Sequence, residues 1–144
     1  MSAEQQRALQ QLSAEQQIVS SNIELIKQRM ELTQAYIRDQ RIGLKTLEEL
    51  ESRAAGEEIL LHVGGGLLIE AKITDPNKVI RDIGSGVRVE STLTEAKERA
   101  SEIIKRLEEQ YNNLAKELEK LGAHAADVDA RLRQLLADIR SGEK

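Results

Sequence analysis

Three sets of residues in this chain have the types and spacing that chemistry would need. Gly64-Gly65-Gly66 suits a phosphate loop, in which glycine N–H groups cradle an anion at a helix N-terminus. The run lacks the Gly-Lys-Ser/Thr ending, however, and does not open a helix after a strand, so it reads as a turn. His62 and His124 are the only histidines, and imidazole is both a metal ligand and a general base. With no cysteine and no His-x-x-x-His spacing they compose no metal site. His62 reads as a strand residue and His124 as a helix-surface residue. Carboxylates such as Glu48-Glu49 and Glu108-Glu109 alternate with Lys and Arg at helical spacing, the pattern of a solvated helix face. The sequence therefore predicts no catalytic, cofactor-binding or metal-ligating residues, and an enzyme is the least expected class.

The elements that would position these residues divide the chain in three. Residues 55–91 hold the only proline and most of the glycines, between short runs of Val, Ile and Leu. Branched side chains suit a pleated sheet, so strands are predicted over 58–63, 67–73, 78–83 and 87–91. Gly64-Gly65-Gly66 and Gly84-Ser85-Gly86 accept positive φ and make tight hairpin turns. Asp75-Pro76-Asn77 joins the two hairpins.

The flanks, 1–54 and 92–144, are rich in Ala, Glu, Gln, Lys, Leu and Arg, which favours long helices. In the first, Leu9, Gln16, Ile23, Met30, Ile37 and Leu44 fall seven apart. Leu12, Val19, Ile26, Thr33, Gln40 and Leu47 form the companion row, and nine of the twelve are apolar. In the second, Ile104, Tyr111, Leu118, Ala125, Leu132 and Ile139 pair with Ala100, Leu107, Leu114, Leu121, Val128 and Leu135. These are coiled-coil seams of roughly six heptads each. Ser2 with Gln5, or Ser13 with Gln16, could cap the first helix, whose first eleven residues are expected to fray, and Thr92 with Glu95 caps the second. Each seam buries the other if the chain doubles back, facing residue numbers adding to roughly 144 to 151. The expected fold is mainly α with a small β segment: a long antiparallel coiled-coil hairpin with two β-hairpins at its base.

Two surfaces follow. At the open end lie Leu9, Leu12, Ile18, Val19, Val128, Leu132, Leu135, Leu136 and Ile139. They are either seam residues with ordinary spill-over at Ile18 and Leu136, or an apolar tip offered to a partner, with Gln16 and Gly122 loosening the packing. At the base, strands 59–63 and 67–69 are apolar on both faces, whereas a half-exposed sheet should alternate. Ile59, Leu61, Val63, Leu68, Ile69, Ile73, Val79, Ile83, Val87 and Val89 are therefore expected to form an assembly interface covered by other subunits.

Composition narrows the setting. No cysteine is compatible with a reducing compartment, no apolar N-terminal run or long apolar span suggests export or a membrane, and a net charge of -4 with interspersed signs offers nucleic acid no basic stripe. A cytoplasmic protein with neither a nucleic-acid nor a membrane partner is expected.

Gly64-Gly65-Gly66, Ala71-Lys72-Ile73, Asp75-Pro76, Val79, Asp82-Ile83-Gly84-Ser85-Gly86, Val89-Glu90 and Ala96 stand in order between the two heptad flanks. Together they resemble the α class of the prefoldin family, in its archaeal form. Departures are Leu68 and Val87-Arg88, where that class usually carries aromatics. The resemblance implies an ATP-independent co-chaperone in a hexamer of two α-class and four β-class subunits. Its hairpins would build the platform, and its coiled-coil tips would hold unfolded clients for a group II chaperonin. The competing expectation is a structural coiled-coil adaptor or a filament-forming subunit.

Overall fold

The computed structural model describes residues 1–142, so that Glu143 and Lys144, the end of the third predicted segment, lie outside the described residues. The element order is α1 (Ala3–Glu51), β1 (Glu58–Gly64), β2 (Leu67–Lys72), β3 (Lys78–Gly84), β4 (Val87–Thr92) and α2 (Leu93–Gly142). The residues group into two compact units. One holds 1–35 with 108–142, the other 36–107.

In the first unit two helical segments pack through the predicted seam. Val19, Ile26, Leu114 and Val128 are buried, Val128 completely. Thr33 is buried as well, and its Oγ1 donates to the Arg29 carbonyl at 2.8 Å, so the hydroxyl is satisfied within its own helix. α1 starts at Ala3, with a reciprocal capping box in which Ser2 N donates to Gln5 Oε1 and Gln5 N to Ser2 Oγ. The expected fraying of the first eleven residues is not what the structure shows, because the box at Ser2 is the one used and residues 3–11 are helical. Gln16, expected to loosen the seam, donates from Nε2 to Asp129 Oδ1 at 2.7 Å, and His124 Nε2 lies 2.9 Å from Glu15 Oε1. Both contacts tie one helix to the other.

The second unit carries the strands. β1 pairs antiparallel with β2, and β3 with β4, each as a separate two-stranded sheet. The hairpins share one design. Gly64 stands opposite Leu67 and Gly84 opposite Val87, and in each hairpin the register shifts one residue earlier, leaving Val63 and Ile83 as extra residues. The loop pairs Gly65-Gly66 and Ser85-Gly86 all take positive φ, the requirement of a two-residue turn that follows strand twist. Ser85, at φ 54°, is the only non-glycine among the described residues to do so.

Side chains and backbone fasten the hairpins to the helices. Asn77 N donates to Asp75 Oδ1, while the Leu93 amide donates to Asn77 through both its backbone and side-chain oxygens. The link between hairpins thus holds the first residue of α2. Thr92 and Glu95 close the second capping box, each at 3.2 Å. Ile73 pairs its backbone with Gly56 and Glu57, and is buried with Ile37, Leu93, Ala96 and Ala100 as this unit's core. Lys97 reaches Glu51 across the two helices.

Candidate functional site

The surface that stands out lies on the hairpins. Of the large apolar side chains left exposed, Leu60, Leu61, Val63, Leu67, Leu68, Ile69, Ile80, Ile83 and Val87 all belong to the four short strands. The cause is local. A two-stranded sheet has two faces and two open edges, and β1 and β2 place apolar residues on both faces. One chain has nothing further to lay against them. Six of the ten residues expected at an assembly interface, Leu61, Val63, Leu68, Ile69, Ile83 and Val87, are exposed here. Ile59, Val79 and Val89 are half-buried. Ile73 is already buried inside its own chain and has little further area to bring to a partner. Leu60, Leu67 and Ile80, absent from the expected set, are the most open of the group at 63%, 65% and 60% exposure. The signal that finds them is the same two-faced apolar pattern, applied to every residue of a strand and not only to alternate ones.

A groove of about 580 Å³ runs along β3. Four consecutive residues, Val79 to Asp82, line it, so side chains of both parities border it and the strand meets it edge-on. Leu44, Leu47 and Ile103 supply apolar wall, while Asp39, Asp82 and Arg99 supply charge. Arg81 also lines the groove, and its Nε is buried without a hydrogen-bond partner, as is Ser91 Oγ nearby in the hairpin. An unsatisfied buried donor costs roughly 1–3 kcal/mol.

At the chain ends the nine expected tip residues separate into two kinds. Val19 and Val128 are buried in the seam, and Leu9, Leu12, Leu132, Leu135 and Ile139 are half-buried. Ile18 and Leu136 are exposed, at 61% and 43%. Of the nine, these two are the exposed ones.

The residues first considered for chemistry belong to different units. His62 sits on β1 opposite Leu68, and His124 contacts Glu15 in the other unit. Among the described residues no group of three or more His, Cys, Asp or Glu could hold a metal ion, and no helix is long and apolar enough to cross a membrane. Among the described residues one side-chain carboxyl departs from its ordinary range. Ala54 N and the Arg53 guanidinium both donate to Glu57 at 3.0 Å, which lowers its pKa and orders the turn between α1 and β1.

Comparison with known proteins adds to this geometry. The family model described as Prefoldin subunit matches residues 19–138. A prefoldin subunit alpha from Methanococcoides burtonii is 30% identical over 135 residues, covering 94% of this chain and 93% of that protein. Among solved structures, filamentous PFD from Methanocaldococcus jannaschii aligns with a TM-score of 0.68 and 25% identity, over 80% of this chain and 95% of that one. The prefoldin beta subunit from Thermococcus strain KS-1 aligns with a TM-score of 0.55 and 20% identity, over 92% of each chain, a likeness of fold.

Proposed function

Because this chain belongs to the prefoldin family, with the co-chaperone role of its α subunits, we propose that it works in an ATP-independent holder. Within that holder, hairpins from several subunits form the platform and helix ends grip unfolded clients for transfer to a group II chaperonin. The platform partners are β-class subunits, in a hexamer of two α and four β chains, and the setting is the cytoplasm. The role calls for no catalysis. It uses the chain as three segments: helix 1–54, platform 55–91 and helix 92–144.

The observation that carries the assembly part is the row of open apolar side chains on both hairpins, with the free edge of β3 beside its groove. Fully burying one Leu or Ile is worth roughly 1.5–3 kcal/mol, so a few of them suffice for stable association. Client holding has the opposite requirement. A tip with Ile18 and Leu136 open, and Leu9, Leu12, Val19, Val128, Leu132, Leu135 and Ile139 reached as the ends part, grips weakly at any one arm. Linking several arms through one base raises the effective concentration of the next contact and keeps each grip reversible.

The test combines mass and activity. Mixed with a β-class subunit, the chain is expected to give a closed hexamer by native mass spectrometry and to keep a denatured protein from aggregating. Removing residues 1–20 and 125–144 is expected to abolish that protection while the hexamer persists. Unchanged protection would remove the tips from the mechanism. The second reading, an open polymer with a structural role, draws on the filamentous relative, whose filament is a property of that protein. It predicts a mass that grows with concentration.

A further inference from the structure

The two helices of the 1–35 and 108–142 unit differ on the faces turned away from the seam. On α1, Ile18, Leu25 and Leu32 fall seven apart outside both seam rows, and they are 61%, 46% and 53% exposed. Ala14, Ser21, Gln28 and Ala35 alternate with them at steps of four and three, and all four are exposed. The two rows form a second heptad repeat, uncharged from Ala14 to Ala35, with large side chains in one row and mostly small ones in the other. The matching rows of α2 read Glu109, Asn113, Lys116, Lys120, Ala123, Asp127, Ala130, Gln134 and Ala137, with four charges and no large apolar residue. Single exposed leucines need no explanation, but a repeat confined to one helix is a pattern.

Its spacing selects the occupant's conformation. Residues seven apart on a helix are about 10.5 Å apart along the axis. On a strand, same-face residues recur at roughly 6.6–6.8 Å, so an extended chain falls out of step with the row after one contact. A second helix keeps the same period, and the small residues let it approach closely. Charge narrows the choice further. The row beside the small residues runs Gln10, Gln17, Glu24 and Glu31, and the row on the other side of Leu25 and Leu32 runs Glu15, Asn22, Arg29 and Tyr36, so the two borders carry three acids to one base before Arg38.

We propose that this face of α1 is a lateral client site that takes a short amphipathic helix, apolar on one side and bordered by Lys or Arg, from a partly folded client. The proposal rests on the co-chaperone reading and adds a client class to it: segments that have already formed helix, held along the arm and not at its end.

The test uses the full chain assembled with its β-class partner. The probe is a labelled synthetic helix with leucines at heptad positions and lysines beside them, compared with a proline-interrupted peptide of otherwise the same sequence. The helical peptide is expected to bind at least about tenfold more tightly than the interrupted one. Leu25→Gln with Leu32→Gln, which keeps good helix formers at open positions, is expected to weaken its binding about tenfold or more. Glu24→Lys with Glu31→Lys is expected to weaken it about threefold, with less dependence on salt. Equal binding by both peptides, or unchanged binding by both double variants, overturns the proposal. So does a change in assembly mass in either variant, which would make the face a contact between subunits. Protection of a denatured protein from aggregation is measured in the same preparations. If the unaltered assembly protects while the peptide results fail, only the lateral site is lost; if it does not protect, the co-chaperone reading falls as well.

Discussion

The seam of the helices and the surface of the hairpins treat their apolar side chains in opposite ways. Every apolar position of the two heptad rows in both helices is buried or half-buried inside this one chain. On the four strands nine large apolar side chains remain open, including Leu60, Leu67 and Ile80. A helix with one apolar stripe needs one partner stripe, and the chain supplies it by doubling back. A two-stranded sheet apolar on both faces needs more cover than its own chain can bring. The molecule is therefore complete along its seam and incomplete at its hairpins, which is the design of a subunit.

The comparison can be broken experimentally, and its largest expected effect is at the hairpins. Leu68→Asp with Ile83→Asp removes two open side chains that a partner would bury. Association with a β-class subunit is expected to weaken by roughly 100-fold or more, from about 1.5–3 kcal/mol per residue, with helix content by circular dichroism unchanged. An intact assembly would mean that the open hairpin surface is not the interface.

Next comes the seam. Leu114→Ala is expected to lower the stability of the isolated chain by about 2–5 kcal/mol in denaturant melts, as for other buried leucines. Leu68→Ala on the open hairpin should change the same measurement by no more than about 0.5 kcal/mol. Similar losses at both positions would erase the distinction between a finished seam and an unfinished platform.

A smaller change sharpens the question of the tip. A methyl group added at Gly122 meets nothing within 4 Å, so Gly122→Ala should stabilise the helix by about 1 kcal/mol. If clients are reached by parting the helix ends, the same variant should hold a denatured protein less well. Unchanged holding would place the grip on residues open without parting, such as Ile18 and Leu136.

The smallest effect lies between the two regions, at Glu57. Its carboxyl is held below the ordinary range by the Ala54 amide first and by Arg53 second, so the ordering it contributes is present above the usual carboxylate pKa and is lost as pH falls through the lowered value. Exchange protection of the Ala54 amide should therefore decrease on acidification, while that of seam amides near Val128 persists. Protection independent of pH would remove the carboxylate from that turn.

Much of this was legible in the chain as written, because its local signals agree with one another. The capping pair Thr92 and Glu95, the positive-φ turns at Gly65-Gly66 and Ser85-Gly86, and the start of each strand fall where residue type and spacing put them. Gln16 was misread because a polar seam residue is a defect only if unpaired. Its partner Asp129 is 113 residues away, and nothing local announces it. The same limit applies to the first turn of α1. Ser2 and Ser13 offer equal capping chemistry, and the structure uses Ser2.

By itself, then, the sequence determined the helices, the hairpins, their turns and the rows that meet, since periodicity and backbone preference act over a few residues. Only the tertiary structure decided which apolar side chains are consumed within the chain and which are left for others. It buries Ile73 and Val128, and it opens Leu60, Leu67, Ile80 and the outer row of α1. The physical reason is that exposure is a property of what lies opposite a side chain, and what lies opposite is set by contacts between residues far apart in sequence.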